Sequence, residues 1–170
     1  MDVKTRRLTT TAVTTALVYV VTMLLVIQVP AIKGAYFNLG DVVIYCAAYI
    51  LGGPYGAIAA ALGSGLADLT LGSTVYIPAT IVIKAVMALI VGGLTKKDSS
   101  LRNYIAGCVI AALVMAFGYF GYETMLVGIG GSLLTLVPNL IQAGCGAGLA
   151  IVLYHPMLMM RNKLNLRIAV

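Results

Sequence analysis

Charged residues are scarce in this 170-residue chain, at 9% of the total, whereas apolar residues make up 61%. A soluble domain carries about 25% charged and about 45–50% apolar residues. The sequence also has no Trp, a single His and only three Cys. The shortage of charge excludes a water-soluble globule and a disordered chain, and three cysteines without a Cys-x-x-Cys pair exclude a disulfide scaffold. The composition predicts an all-α integral membrane protein.

Motifs for catalysis and nucleotide binding are also missing. No Gly-x-x-x-x-Gly-Lys-Ser/Thr loop is present to hold ATP, and no Gly-x-Ser-x-Gly elbow is present to carry a nucleophile. The lone His155 has no companion residues for a metal site or for acid–base chemistry. No basic stripe interleaved with aromatic residues indicates nucleic-acid binding. We therefore expect a chain that is not an enzyme and binds no cofactor or metal, which leaves binding, transport or assembly.

Apolar runs fill most of the sequence and are separated by Pro, Gly and polar residues. A helix needs about 20 apolar residues to cross a bilayer, so the chain has room for six crossings and no separate domain. The second run is short enough to be re-entrant rather than spanning. We predict a single membrane domain over residues 1–170 that forms a bundle of six transmembrane helices, with spans at about 8–29, 39–51, 55–71, 78–94, 104–122 and 133–160.

Basic residues give the bundle an orientation. Nine of the eleven Lys and Arg residues fall in three clusters that precede span one, separate spans four and five, and follow span six. With six crossings, all three clusters share one side, which the positive-inside rule makes cytoplasmic. Both termini are then cytoplasmic. The clusters are Lys4, Arg6 and Arg7; Lys96, Lys97 and Arg102; and Arg161, Lys163 and Arg167.

Four charged residues lie within or beside the spans, and all four fall in the outer halves. A charge at the bilayer centre costs at least about 2.5–3.5 kcal/mol, so such residues pair or line a cavity. Asp68 and Lys84 fall at similar depth, which predicts an ion pair that either fixes helix packing or contacts a ligand. Asn139 and Gln142 share one helix face because they are three residues apart. The predicted substrate-binding residues are Asn38, Asp41, Asp68, Tyr76, Lys84, Tyr119, Glu123, Asn139 and Gln142.

Three further features complete the pattern. The loop after span one contains Pro30, Gly34, Tyr36 and Phe37, which suit a mobile cover over an outward-facing pocket. Near the inner end of span one, an Ala-x-x-x-Ala motif at residues 12–16 offers a face on which another helix can approach closely. Tyr76 and Tyr119 are expected to stack on a ring-shaped ligand.

Several stretches carry a resemblance to a known family. They are YFNLGD at 36–41, LGGPYG at 51–56, LADL at 66–69, and YIPAT at 76–80 followed by Lys84. On these motifs the chain resembles the substrate-binding S components of energy-coupling factor (ECF) vitamin transporters, with motifs most similar to the hydroxymethylpyrimidine/pyridoxine-type group. The Ala12 and Ala16 motif is similar to the one that docks relatives on their transmembrane coupling subunit.

The resemblance implies a membrane-embedded subunit of an ATP-driven importer in a prokaryotic cytoplasmic membrane. Such a subunit captures a small water-soluble vitamin or precursor with high affinity near the extracellular face, here pyridoxine or hydroxymethylpyrimidine. Its implied partners are a transmembrane coupling subunit and two ATPase subunits, which hydrolyse the ATP. Two alternatives stay open: a stand-alone secondary transporter of a small polar metabolite, and a structural membrane subunit without a ligand.

Overall fold

The computed structural model describes residues 3–24, 26–28, 33 and 35–164. Six helices account for most of these residues: α1 (Val3–Leu24), α2 (Gly40–Leu51), α3 (Gly53–Thr70), α4 (Ile77–Lys97), α5 (Leu101–Val152) and α6 (Tyr154–Leu164). A 3-10 turn at Thr74–Tyr76 leads into α4. The strands β1 (Ile27–Gln28) and β2 (Tyr36–Phe37) pair antiparallel between α1 and α2.

Three of these helical segments are long and apolar enough to cross a membrane. They are Lys4–Leu24, Thr74–Lys97 and Leu101–Val152, and Gly40–Leu51 is a shorter apolar helix. Large apolar side chains on the outer surfaces of the helices stay exposed, as with Leu62 on α3 and Phe117 on α5, each at more than half of its area. Such surfaces suit contact with lipid. The helices therefore support the predicted all-α membrane protein.

Proline and glycine set the helix boundaries. Pro54 and Pro78 stand in the first turns of α3 and α4, where the missing N–H costs nothing. Gly128 interrupts α5 with a φ of 76°, a conformation that glycine adopts without strain. Pro156 ends the run after Val152, because proline cannot donate to the carbonyl four residues earlier and its ring clashes with it.

The helices differ from the predicted spans in three places. Helix α1 ends at Leu24 and β1 follows, although span one was predicted to continue to residue 29. The residues between predicted spans five and six, 123–132, are helical except for the single break at Gly128. The long last span divides at Leu153 into the end of α5 and the start of α6. Residue 29, Pro30, Gly34 and Arg167 lie outside the described residues.

Hydroxyl groups explain how a threonine-rich segment stays helical in α1. Five threonine side chains each donate a hydrogen bond to the backbone carbonyl four residues earlier; they are Thr9, Thr10, Thr11, Thr14 and Thr15. A hydroxyl that is satisfied by its own helix needs no water. The polar first turns of α1 are therefore compatible with an apolar environment.

The basic residues meet at one end of the bundle, called here the basic end. Arg6, in the first turns of α1, donates from Nη2 to the Lys163 carbonyl of α6 at 3.3 Å. Arg161 donates from Nη2 to the Thr95 carbonyl near the end of α4 at 3.1 Å. Tyr154 of α6 donates its hydroxyl to the Ser99 carbonyl just before α5 at 2.8 Å. The starts of α1 and α5 and the end of α4 therefore gather beside α6, at one end of the bundle.

Candidate functional site

A polar pocket lies at the opposite end of the bundle, called here the pocket end. The open space at its centre measures about 30 Å³, room for about two water molecules. The pocket lining includes eight of the nine predicted substrate-binding residues. The ninth, Asp41, lies behind the lining and contacts two of the eight, Lys84 and Gln142. The lining is Thr22, Ala35, Tyr36, Asn38, Ser64, Asp68, Tyr76, Thr80, Lys84, Tyr119, Glu123, Thr135, Asn139 and Gln142.

A buried ion pair forms the floor of the pocket and corrects one prediction. Lys84 Nζ on α4 lies 2.5 Å from Asp41 Oδ1 on α2, and both side chains are buried. The expected partner of Lys84 was Asp68, which lies on α3. Lys84 Nζ also lies 5.4 Å from the centroid of the Tyr119 ring, within the range of a cation–π contact.

A glutamine on α5 holds this ion pair in place. Gln142 Nε2 donates to Asp41 Oδ2 at 2.8 Å, and Gln142 Oε1 accepts from the Asn38 backbone N–H at 2.9 Å. Asn38 Oδ1 in turn accepts from the Gly40 N–H at the start of α2 at 2.8 Å. The network fixes the entry into α2 against α4 and α5.

The carboxyl group of Asp68 meets the segment after α1. Tyr36 in β2 donates its hydroxyl to Asp68 Oδ1 at 2.5 Å. Burial is the main reason that the pKa of the Tyr36 hydroxyl is raised above its ordinary value, and the nearby carboxyl group of Asp68 raises it further. The hydroxyl therefore stays protonated and donates. Tyr36 is thus a direct part of the pocket as well as of the predicted lid.

The third carboxyl group is held by two hydroxyls. Tyr76 donates to Glu123 Oε1 at 3.2 Å, and Thr135 donates to Glu123 Oε2. These contacts join the start of α4 to α5 on both sides of its break at Gly128. The rings of Tyr76 and Tyr119 lie 6.3 Å apart between centroids, so both aromatic residues predicted to stack on a ligand line the same hollow.

Three lining residues carry buried polar atoms that lack a hydrogen-bond partner within the described part of the chain. They are Thr22 Oγ1, Asp68 Oδ2 and Asn139 Nδ2. A buried polar group without a partner costs about 1–3 kcal/mol. An acceptor on Asp68, a donor on Asn139 and a hydroxyl on Thr22 therefore suit a ligand that offers both donors and acceptors.

Several lining residues are absent from the predicted set: Thr22, Ala35, Tyr36, Ser64, Thr80 and Thr135. Thr80 shares a 2.9 Å hydrogen bond with Tyr119, and Thr135 holds Glu123. Hydroxyl residues are common in apolar helices and bond to their own backbone, so the sequence gives no signal that separates these from the rest. Tyr36 had such a signal, since it opens the YFNLGD stretch.

The predicted partner-docking residues lie elsewhere. Ala12 and Ala16 are on α1 toward the basic end, and both are exposed. They take no part in the pocket. As for metals, the described residues contain no group of three or more His, Cys, Asp or Glu side chains that could hold an ion.

Comparison with known proteins decides the family. Residues 2–158 match the family of the ECF-type riboflavin transporter S component. The chain is a member of the ECF S component family. It is 31% identical over 156 residues to the thiamine precursor transporter HmpT of Lactococcus lactis subsp. cremoris (strain MG1363), covering 87% of this chain and 85% of that protein.

A second relative matches most of the chain. An uncharacterized protein in the gap 3' region of Pyrococcus woesei is 35% identical over 129 residues, which cover 76% of this chain and 86% of that protein. As an S component, the chain is a non-enzymatic, multi-pass membrane subunit that binds the substrate of a vitamin or vitamin-precursor transporter. Family membership implies, in general, a vitamin substrate, a transmembrane coupling subunit and an ATPase module as partners.

Proposed function

We propose that this S component captures pyridoxine or hydroxymethylpyrimidine in the polar pocket, from the outside of a prokaryotic cytoplasmic membrane. The observation that carries the proposal is the set of buried carboxyl, amide and hydroxyl groups at the pocket end. The nine predicted residues are the proposed binding set, with Asp41 acting through Lys84 and Gln142. Glu123, Asn139 and Gln142 bond the edges of the ring, and Tyr76 and Tyr119 stack on its faces.

The size of the pocket favours a single-ring substrate. The lining side chains leave about 30 Å³ between them, so any ligand requires them to move apart. A pyridine or pyrimidine ring needs a smaller movement than the three fused rings of a flavin. The name of the HmpT relative, a thiamine precursor transporter, favours hydroxymethylpyrimidine, whereas the family name mentions riboflavin.

The proposed orientation follows from the charges. The basic end lies in the cytoplasm under the positive-inside rule, which turns the pocket end outward. We count six crossings, namely α1 to α4 and the two parts of α5 on either side of Gly128. An even count leaves both termini in the cytoplasm.

Transport itself is proposed to depend on partners. A transmembrane coupling subunit docks on the exposed face of α1 that carries Ala12 and Ala16, and two ATPase subunits supply the energy. The alternative is a stand-alone secondary transporter of a small polar metabolite. Uptake by this chain alone in vesicles without ATPase subunits would favour that alternative, whereas uptake that requires the partner subunits and ATP supports the importer.

Binding is tested on the purified full-length chain by titration calorimetry and ligand-induced thermal stabilisation. Replacing Glu123 or Asn139 by Ala is expected to weaken pyridoxine or hydroxymethylpyrimidine binding about tenfold each, about 1.4 kcal/mol, because a buried partner of the ligand is lost. Asn162→Ala, at an exposed position of α6, is the matched control and should bind as the wild type does. Unchanged affinity in both pocket variants would move the site elsewhere, and no stabilisation by any vitamin would favour a structural subunit.

A further inference from the structure

We propose that the pocket discriminates by charge, accepting a neutral or cationic ring and rejecting the carboxylate and phosphate forms of the same ring. The inference rests on the proposed function, because it concerns which chemical class the same pocket takes. It goes further than the choice between pyridoxine and hydroxymethylpyrimidine, since it applies equally to either substrate and to a flavin.

The balance of charged groups at the pocket carries the first step. Three carboxyl groups lie in or directly behind the lining, on Asp41, Asp68 and Glu123, and all three residues are buried. Among the described residues of the lining, Lys84 is the only cationic side chain. Lys84 forms its ion pair with Asp41, and the hydrogen bonds that Asp68 and Glu123 accept come from hydroxyl groups.

The lysine is not available to an anionic ligand. Its Nζ lies 2.5 Å from an Asp41 carboxyl oxygen, and Asp41 has 0% of its surface exposed. Gln142 holds the other oxygen of the same carboxyl group at 2.8 Å. An anion that drew Lys84 away would leave Asp41 as an unpaired buried charge, which is strongly unfavourable.

The hydrogen-bond donors of the pocket are engaged in the same way. The hydroxyls of Tyr36, Tyr76 and Thr135 already donate to carboxyl oxygens. Recognition of a carboxylate or phosphate uses several donors, often charged ones. Two buried donors of the lining have no partner in the described chain, the Asn139 amide and the Thr22 hydroxyl. The lining also has an acceptor without a partner, Asp68 Oδ2.

A ligand that fits these groups brings donors of its own. An exocyclic amine or a hydroxymethyl group can donate to Asp68 Oδ2, and a ring nitrogen can accept from Asn139 Nδ2. A carboxylate in the place of the hydroxymethyl group removes the donor and adds a negative charge beside the two carboxyl groups. Both changes act against binding.

Matched ligand pairs test the inference on the purified full-length protein at pH 7.5. The pairs are pyridoxine and 4-pyridoxic acid, hydroxymethylpyrimidine and its 5-carboxylate analogue, and riboflavin and its 5'-phosphate. Within whichever pair binds, we expect the anionic member to bind at least about 100-fold more weakly, because like charges brought together cost several kcal/mol. The 5-aminomethyl analogue of the pyrimidine, a cation, should bind at least as well as the hydroxymethyl compound.

Carboxyl-to-amide variants assign the discrimination to the pocket. Asp68→Asn and Glu123→Gln should each reduce the neutral-to-anionic affinity ratio about tenfold, because each replaces an ionisable carboxyl group by an amide of the same shape that cannot carry a negative charge. Asp98→Asn is the matched control, since Asp98 is exposed in the loop before α5, and it should leave the ratio unchanged.

The outcomes separate this inference from the proposed substrate. If riboflavin binds while its phosphate and both single-ring compounds do not, the charge discrimination stands and the proposed substrate is wrong. If pyridoxine and 4-pyridoxic acid bind with equal affinity, the proposed substrate stands and the charge discrimination is wrong. Binding of no member of any pair by a folded protein would overturn both, and an unchanged ratio in both pocket variants would overturn the assignment to Asp68 and Glu123.

Discussion

The two ends of the bundle each hold a cluster of tyrosines, but the hydroxyls have different partners. At the basic end, Tyr49 and Tyr154 both donate to the Ser99 carbonyl, at 2.9 and 2.8 Å. At the pocket end, Tyr36 and Tyr76 donate to carboxyl groups on side chains. A backbone carbonyl is fixed by the fold, whereas a carboxyl group that lines a hollow can exchange a hydroxyl for a ligand atom. Tyr122 packs beside Tyr76 but donates to the Val75 carbonyl, so the kind of partner, and not the end of the bundle, separates structural tyrosines from candidate binding ones.

Volume alone would point to the other end of the molecule. A hollow of about 400 Å³ lies at the basic end, lined by the backbone of Gly52, Gly53 and Gly92 and by side chains that include Lys96 and Arg161. Arg161 already donates to the Thr95 carbonyl and lies 4.8 Å from the centroid of the Tyr49 ring. Arg161 Nη1 is also buried without a hydrogen-bond partner in the described chain, so unpartnered atoms alone do not separate the two ends. The pocket end differs in its three buried carboxyl groups, on Asp41, Asp68 and Glu123.

The largest expected effect comes from breaking the ion pair beneath the pocket. Lys84→Met leaves Asp41 as a buried charge without its partner, which should lower the free energy of unfolding by about 3–5 kcal/mol. Lys96→Met, at an exposed position of the basic end, should change it by less than about 0.5 kcal/mol. Thermal and denaturant unfolding in detergent measure both.

A double variant sharpens that test. Asp41→Asn combined with Lys84→Met should recover part of the lost stability, because neither buried charge is left alone. If the Lys84→Met variant has the same free energy of unfolding as the wild type, the ion pair does not stabilise the pocket end. The proposed difference between the two ends would then be wrong.

The next largest effect is expected at the basic end, where packing rather than charge decides stability. A Cβ on Gly92 of α4 would lie 2.1 Å from the Gly53 nitrogen and 2.4 Å from its Cα. Gly92→Ala should therefore force α4 away from the turn between α2 and α3, at a cost of about 1–3 kcal/mol. Gly93→Ala is the neighbouring control, since a Cβ there meets nothing within 4 Å.

This pair of alanine variants also tests the division of roles. Ligand affinity should be unchanged in Gly92→Ala protein that remains folded, because the crossing lies far from the pocket. Equal unfolding temperatures for the two variants would contradict the close contact between Gly92 of α4 and the Gly53 backbone.

The sequence predicted most of the pocket because charge is expensive in a bilayer. Asp68, Lys84 and Glu123 stand out in apolar helices, and their depth places them at one end. The pairing of Lys84 was wrong because Asp41 and Asp68 lie at similar depth on two different helices. Which of them meets Lys84 depends on the rotation of α2 and α3 against α4, and depth carries no information about rotation.

The helix boundaries, like the pocket residues, were predicted in most but not all places. Proline and glycine indicated the starts of α3 and α4 and the break between predicted spans five and six, which the structure has at Gly128. Of the glycine-rich stretch at 128–131, only Gly128 leaves helical geometry, and the division after Val152 was not predicted. One glycine with positive φ suffices to break a helix, and the following residues return to helical geometry. The sequence cannot show that a glycine-rich stretch uses only one of its glycines for the turn.

The smallest expected effect distinguishes the two kinds of tyrosine directly. Tyr36→Phe removes the hydroxyl that holds Asp68 Oδ1 while Asp68 Oδ2 is left for the ligand. The carboxyl group is then less well positioned, so affinity for pyridoxine or hydroxymethylpyrimidine should fall about fivefold to tenfold, about 1 kcal/mol. Tyr49→Phe should leave affinity unchanged and lower stability by less than about 1 kcal/mol, because the Ser99 carbonyl keeps its bond from Tyr154. Calorimetric titration and thermal unfolding of both variants give the comparison. Equal loss of affinity in the two would mean that the partner of a tyrosine hydroxyl does not tell a binding residue from a structural one.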